Sequence, residues 1–567
     1  MSSYFWERSY PPGVRWEVEV PHKPVHALID EAAQRWPKQP FLDFLDKKLS
    51  YGDVHDLVDR AAQGFRRLGV KPGGKVALFL PNTPHYVIAF FGILKAGGVV
   101  VNMSPLDAER ELAFKLNDSG AEIVVTLDLA VLYPRMAKLL SGTKLKTIVV
   151  GGVQDFLPFP KNLLFPLARR KNIATVPDDA RHVRFKSLLA NDGRGEAHRV
   201  ADPRSEICVL QYTGGTTGEP KGAMLTHYNL VAAVTQMHSF FGQGEQPLVA
   251  NHERVMGVLP LFHIYALTVV MLLSMVGGSS IVLHPRFELD AVLRDLHKKR
   301  PTMLPGVPTM YTAILNHPKL KEYDLSSLKF CNSGGAPLPP EVQQRFQELT
   351  GCKLLEGWGM TETSPAGTGT PPHRSAKPGS CGVPLPGIVI EFVDVADGSK
   401  LLPYGETGEI CLRGPNVMQG YWQRPDATAS TLANGRLHTG DIGYMDADGY
   451  LFIVDRKKDM ILSGGYNVYP RNIEDAIYQH PAVSEVTVIG VPDEYRGQSA
   501  KAFIKLRSGE KPFNLDELRG FLADKLGKHE LPAELEIRDE LPKTVVGKLS
   551  KKELVEEEMR KRQRASA

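Results

Sequence analysis

Tyr212-Thr213-Gly214-Gly215-Thr216-Thr217-Gly218-Glu219-Pro220-Lys221-Gly222 is the stretch on which the reading of this 567-residue chain turns. Gly214, Gly215 and Gly218 lack Cβ atoms, so their backbone N–H groups are free to turn inward. Thr213, Thr216 and Thr217 add hydroxyl donors, and Lys221 adds a mobile cation. Together these groups suit a polyphosphate. A strand-like run at residues 207–211 leads in, and a helix-like stretch begins at Asn229. Lys221 is followed by Gly222 where a Walker-type phosphate loop requires Ser or Thr, so the loop is not of that class. A plain surface turn has a similar composition, and the rest of the chain decides between the two.

Outward from that loop, roughly the first 450 residues alternate helical patterns with short β-branched runs, as stacked βα units do. Residues 75–80, 122–126 and 147–150 read as strands of a parallel sheet with helices on its faces. From about Gly379 the pattern shifts to short strands between Gly-rich turns. After Asp455-Arg456-Lys457-Lys458-Asp459 it shifts again, with strands expected at 486–491 and 502–506 and helices at 515–526 and 550–561. The fold class expected is α/β. Residues 1–456 form a large domain of parallel-type sheets with a small β-barrel-like lobe at about 379–455. Residues 457–567 form a small α+β domain.

Composition is that of a globular enzyme, 43% hydrophobic and 23% charged, with a net charge of +4. So small a charge argues against a dedicated nucleic-acid binder and permits contact with an anionic membrane. Five scattered cysteines without a CxxC pair fit reduced thiols in a cytoplasmic protein and give no metal-site signal. The N-terminus lacks the apolar core of a secretory signal. Two apolar stretches, 87–101 and 264–276, are broken or too short for a membrane span and read as buried core.

Six further motifs follow the loop. They are Leu259-Pro260-Leu261-Phe262-His263-Ile264-Tyr265, Ser333-Gly334-Gly335-Ala336-Pro337-Leu338, Glu356-Gly357-Trp358-Gly359-Met360-Thr361-Glu362-Thr363, Leu437-His438-Thr439-Gly440-Asp441-Ile442-Gly443, Asp455-Arg456-Lys457-Lys458-Asp459 and Leu541-Pro542-Lys543-Thr544-Val545-Val546-Gly547-Lys548. In that order they resemble the motifs of the acyl-adenylate-forming superfamily. The resemblance runs from Tyr212 to Lys548, and Leu49-Ser50-Tyr51 extends it toward the N-terminus.

The resemblance implies a set of roles. Thr213, Gly214, Gly215, Thr216, Thr217, Gly218 and Lys221 hold the phosphates of ATP. Gly335, Ala336 and Pro337 pack on adenine, with Glu356, Gly357, Trp358 and Gly359 supplying an aromatic platform. Thr361 meets the α-phosphate, and Glu362, with Thr213, holds Mg2+. His263 lines the acyl pocket, Asp441 takes the ribose hydroxyls, and Arg456 lies near them. Lys458 is the hinge of a mobile C-terminal domain that carries the adenylating Lys548, and Gly464 and Gly465 line the entry for coenzyme A.

Such groups suit a reaction whose difficulty is electrostatic, the attack of a carboxylate on a polyphosphate. Residues 435–458 and Ser463-Gly464-Gly465-Tyr466-Asn467-Val468-Tyr469-Pro470 are similar to fatty-acyl-CoA synthetases, bacterial long-chain members in particular. The resemblance therefore implies a long-chain-fatty-acid–CoA ligase, with medium-chain or aryl acids, or a carrier-protein acceptor, as alternatives. Leu267 stands where some long-chain members carry a tryptophan gate. Residues 156–171 run from apolar and aromatic residues into Arg169, Arg170 and Lys171, a composition suited to an anionic bilayer surface. A loop packed on the protein's own surface is the competing reading. The location expected is cytoplasmic, with peripheral contact at the membrane face.

Overall fold

In the computed structural model the described residues are 4–213, 219–242, 252–463, 466–493, 495–544 and 549–566. Runs of Val, Ile and Leu that lack polar alternation belong where both faces of a strand are covered. Val99–Asn102 and Ile123–Leu127 are buried at every position. They lie inside an eight-stranded sheet ordered Gly420–Tyr421, Lys221–Thr226, Ile207–Thr213, Val99–Asn102, Lys75–Leu78, Ile123–Leu127, Thr147–Gly151 and His182–Arg184. The last six strands are mutually parallel, and the first two join antiparallel.

A nine-stranded sheet holds Val383–Pro384, Thr368–Gly369, Lys353–Trp358, Phe330–Ser333, Met303–Gly306, Arg254–Gly257, Ser280–Leu283, Pro40–Phe44 and Lys47–Ser50, in that order. Residues 383–384 thus pair with the large sheet. The antiparallel lobe begins at Val389, with Leu401–Leu402, Val389–Val393, Gly408–Arg413, Leu437–Met445 and Leu451–Arg456 as its five strands.

The two apolar stretches are core. Pro84–Ala96 is buried at all positions, with Pro84 in its first turn and Gly97, at φ 90°, closing its C-terminus. It packs against the helix Tyr51–Arg67 so closely that a Cβ on Gly92 would come within 2.6 Å of the Ala61 Cβ. The second stretch is buried too, and its middle, Leu267–Leu272, is π-helical. Among the described residues no helix is long and apolar enough to cross a membrane.

One continuous apolar core runs from Trp6 to Leu451. Separate, smaller clusters begin at Ile461 and take in Leu522 and Leu554. The chain is therefore a large, sheet-rich N-terminal domain followed by a smaller one. The smaller domain is built on the long hairpin Val483–Asp493 and Gly497–Leu506. The domains touch through Arg507 Nη2 and Glu341 Oε1 at 3.1 Å. All five cysteines are buried thiols, and Cys331 and Cys352 bring their sulfurs to 3.4 Å.

Two expectations need correction. The strand expected before the phosphate loop and the helix expected after it are present, but a further strand, antiparallel to the first and with Lys221 paired to Thr213 in register, stands between loop and helix. The helix starts at His227 after the added strand Lys221–Thr226. Asn229 is its third residue, locked by reciprocal hydrogen bonds with Thr226 of 2.9 and 3.2 Å. In the apolar segment 156–171, Phe156 and Leu157 belong to the core and Phe165 packs against it. The helix Lys161–Ala168 buries none of its residues, and Leu167 lies outward as well. Composition gave the apolar residues without showing which face each takes.

Candidate active site

The strand Lys353–Trp358 leaves the nine-stranded sheet and ends in a tight turn. A Cβ on Gly359 would fall 1.5 Å from the Pro365 carbonyl oxygen, so only glycine fits this turn. The turn sends Trp358 and Glu362 to two neighbouring polar clusters. In the first, the Trp358 indole N–H donates to Asp441 Oδ2 at 2.8 Å. Arg456 Nε stands 3.1 Å from the other oxygen of Asp441. Asp441 and Arg456 are register partners on the antiparallel lobe, and Asp441 is buried. Its carboxylate strengthens the hold of Arg456 on its proton.

In the second cluster Glu362 is buried, and its Oε1 accepts a 2.6 Å hydrogen bond from the Tyr421 hydroxyl. Burial pushes the Glu362 carboxyl above its ordinary range, opposed by that hydrogen bond and by the Arg456 charge. Glu362 makes no ion pair among the described residues, so its buried carboxyl has no cation in contact with it. The same tyrosine ring carries Lys221, whose Nζ lies 5.2 Å from the ring centroid. Thr213 lies across the hairpin from Lys221, its hydroxyl 3.4 Å from the Lys221 carbonyl.

The His263 segment is tied to the elements that carry the second cluster. Gln211 Nε2 donates to the Phe262 carbonyl at 2.9 Å, fixing the segment to the strand that enters the phosphate loop. Thr268 Oγ1 donates to the Ser364 carbonyl at 2.9 Å, next to the Thr361–Thr363 turn. His263 caps the following helix, its Nδ1 accepting from the Tyr265 N–H at 3.3 Å. The Tyr265 hydroxyl reaches Asn332 on the strand that ends at the Ser333-Gly334-Gly335-Ala336-Pro337 loop. Gly335 sits there at φ 83°.

Glu356, earlier on the same strand, differs from its neighbours. It is buried, and burial pushes its pKa up to about 7, while Arg471 of the small domain pulls the other way. Arg471 sits on the helix Pro470–Tyr478, its own N–H donating to Asp455 Oδ2 at 3.0 Å. Burial lowers the pKa of Lys458, and Arg456 adds to the effect.

The structure thus assembles Thr213, Lys221, Glu362, Trp358, Asp441 and Arg456, with Thr361 and His263 on adjoining turns. Gly214, Gly215, Thr216, Thr217, Gly218, Gly464, Gly465 and Lys548 lie outside the described residues. Tyr421 and Arg471 are the two site residues that sequence reading missed. Tyr421 pairs with Ala223 only in the folded sheet, so no local sequence signal marks it.

Among the described residues no group of three or more His, Cys, Asp or Glu could hold a metal ion. A magnesium ion needs less, because it takes one or two carboxylates and fills its shell with phosphate and water oxygens. Glu362, with the hydroxyl of Thr213, offers the hard oxygen donors such an ion takes, and the missing countercharge fits it.

Comparison with known proteins agrees with this geometry. The AMP-binding enzyme model matches residues 29–422, and the AMP-binding enzyme C-terminal domain matches 472–548. The chain belongs to the AMP-binding enzyme family. It is 40% identical over 555 residues to a long-chain-fatty-acid–CoA ligase of Bacillus subtilis, covering 98% of each chain. It is 37% identical over 560 residues to an Escherichia coli protein of the same name, covering 97% of this chain and 98% of that one. Among solved structures, an anthranilate CoA ligase in complex with anthranoyl-AMP aligns with a TM-score of 0.83 at 26% identity, over 95% of this chain and 98% of that one.

Proposed function

We propose that this chain activates a long-chain fatty acid as its acyl-adenylate with ATP and magnesium, then passes the acyl group to coenzyme A. The observation that carries the reading is end-to-end likeness to long-chain-fatty-acid–CoA ligases in a chain whose two polar clusters suit a nucleotide. In the first step a carboxylate oxygen bonds to the α-phosphorus while the bond to the β-phosphate breaks and pyrophosphate leaves. In the second the coenzyme A sulfur bonds to the adenylate carbonyl carbon, AMP leaves, and the thiol proton passes to solvent.

The anionic partners repel, so the chain's work is neutralisation and positioning. Lys221, Thr213 and the glycines and threonines of 214–218 take the β- and γ-phosphates. Thr361 meets the α-phosphate. Trp358 and the loop at Gly335, Ala336 and Pro337 enclose adenine, and Asp441, aligned by Arg456, takes the ribose hydroxyls. Glu362 and Thr213 would hold magnesium, which when bound would supply positive charge against the phosphates. His263 bounds the acid near its carboxylate, and Lys548 bridges carboxylate and α-phosphate.

Residues 457–567 then rotate about Lys458, removing Lys548 and bringing Gly464 and Gly465 to the thiol channel. The test is AMP release over fatty acids of graded length and aryl acids, with and without coenzyme A. Highest kcat/KM on long acids, with acyl-CoA formed, is the expected result. Preference for an aryl or medium-chain acid, or adenylate released only to a carrier protein, overturns it.

The same reading extends to location, the cytoplasmic face of an anionic membrane. Phe159, Leu163, Leu164 and Leu167 are 79, 62, 55 and 77% exposed, four large apolar side chains within nine residues. Exposed Arg169, Arg170 and Lys171 follow directly. Each cation near such a surface contributes about 1 kcal/mol, so three give reversible attachment that salt weakens. Replacing the three by serine is expected to weaken co-sedimentation with phosphatidylglycerol vesicles and leave turnover of a short, soluble acid unchanged. Undiminished sedimentation overturns the assignment.

A further inference from the structure

Tyr421 is 198 residues further along the chain than Ala223, yet the two are partners in the sheet. Its two-residue strand is pinned from several sides. The Trp422 N–H donates to the Gly222 carbonyl at 2.8 Å and the Gln419 N–H to the Met224 carbonyl at 3.0 Å. Thr428 Oγ1 accepts from the Tyr421 N–H at 2.8 Å. Asn229 Nδ2 donates to the carbonyls of Pro415 and Val417 at 2.9 and 2.8 Å. So short a strand gains little from its own pairing, yet it is held on both flanks. The result is one buried side chain that meets two site residues by different chemistry, a hydroxyl on Glu362 Oε1 and a ring face beneath Lys221 Nζ.

We infer that Tyr421 is a positioning residue that sets the magnesium carboxylate and the phosphate-loop lysine in register with each other. The inference rests on the proposed reading of Glu362 as the magnesium ligand. A glutamate carboxyl turns broadly about its last torsion. The Tyr421 hydroxyl occupies Oε1 and so fixes the plane of the carboxylate and the direction of Oε2. A lysine stem is flexible and its ammonium strongly hydrated. The ring face restricts where that charge rests before nucleotide arrives. Because ring and hydroxyl belong to one rigid side chain on a clamped strand, the separation of the two charges is set by a single group. A polyphosphate lying between them then meets a preset geometry.

Two substitutions separate the contacts. Tyr421→Phe keeps the ring and deletes the hydroxyl. It is expected to lower ATP–pyrophosphate exchange about tenfold with KM for ATP little changed, the loss of a hydrogen bond to a charged group. Mn2+ bound in the presence of α,β-methylene-ATP, read by electron paramagnetic resonance, is expected to bind about tenfold more weakly. Tyr421→Leu removes the ring as well and is expected to raise KM for ATP several-fold further.

Thioester formation from supplied acyl-adenylate is expected to be unchanged in the Phe variant. A purely structural tyrosine predicts instead that Phe is silent in exchange and in Mn2+ binding, and that result overturns the inference. Should the Leu variant fail to fold, the isosteric Phe variant decides alone. Glu362→Gln, run in parallel, keeps the two ideas apart. Unchanged Mn2+ affinity in that variant defeats the metal reading of Glu362. A defective Gln variant beside a normal Phe variant defeats only the role of Tyr421.

Discussion

Glu356 and Glu362 lie six positions apart on one strand and turn, both buried, and they are answered from opposite directions. Glu362 meets a hydroxyl from its own domain, on a strand stitched into the eight-stranded sheet. Glu356 has the Cys381 thiol of its own domain 3.8 Å from its Oε1, and the charge that offsets its burial comes from Arg471 of the small domain, which has a core of its own. The first carboxylate therefore keeps its partner whatever the small domain does. The charge that opposes the second belongs to the part proposed to move. One strand and its turn thus carry a carboxylate with a fixed hydrogen bond and another with a conditional countercharge, separated by a glycine turn.

The largest expected effects test the division between fixed and moving parts. Lys548→Ala is expected to reduce adenylate formation by several orders of magnitude while thioester formation from supplied acyl-adenylate stays near normal. Equal loss in both half-reactions, measured separately, breaks the idea that this lysine leaves between steps.

Glu362→Gln comes next, with a fall of about 10²–10³ in kcat and partial recovery at raised magnesium. Its melting temperature is expected to stay close to that of the parent, because Gln still accepts from Tyr421.

The smallest effect belongs to Glu356 and appears in stability. Its carboxyl is raised from an ordinary 4.5 to about 7. Below pH 4.5 both folded and unfolded chains hold the proton, so burial costs nothing. Between 4.5 and 7 the unfolded chain releases it first, and folding grows steadily less favourable. Above about 7 the cost levels off at about 3 kcal/mol, at about 1.4 kcal/mol per pKa unit. Glu356→Gln is expected to match the parent in denaturant melts near pH 4.5 and to exceed its stability increasingly up to pH 8. A constant offset between the two across pH would show that Glu356 titrates normally.

Most of the large domain was legible because its signals are local. Strand runs such as residues 147–150 have no polar alternation, and Asp441, Trp358 and Arg456 sit in dense motifs. The misses share another cause. Tyr421 and Arg471 matter through partners far away in sequence, and a two-residue strand has no period to read. The strand Lys221–Thr226 is hard to read because its glycine and alanine weaken the β signal beside a glycine-rich phosphate loop. Phe156 and Leu157 turn into the core, which the composition of residues 156–171 cannot show because it carries no direction, whereas Leu163 and Leu167, four apart on a helix, share a face.

The burial of all five thiols gives the folded chain a chemically silent surface toward maleimide reagents. Burial raises the Cys411 thiol to about 12, so almost no thiolate is available even where a reagent penetrates. A cysteine pair introduced for Glu341 and Arg507, which already meet across the two domains, would thus report alone. Labelled with a donor and an acceptor dye, the pair would turn each excursion of the small domain into a change in energy transfer, with no native cysteine to remove first.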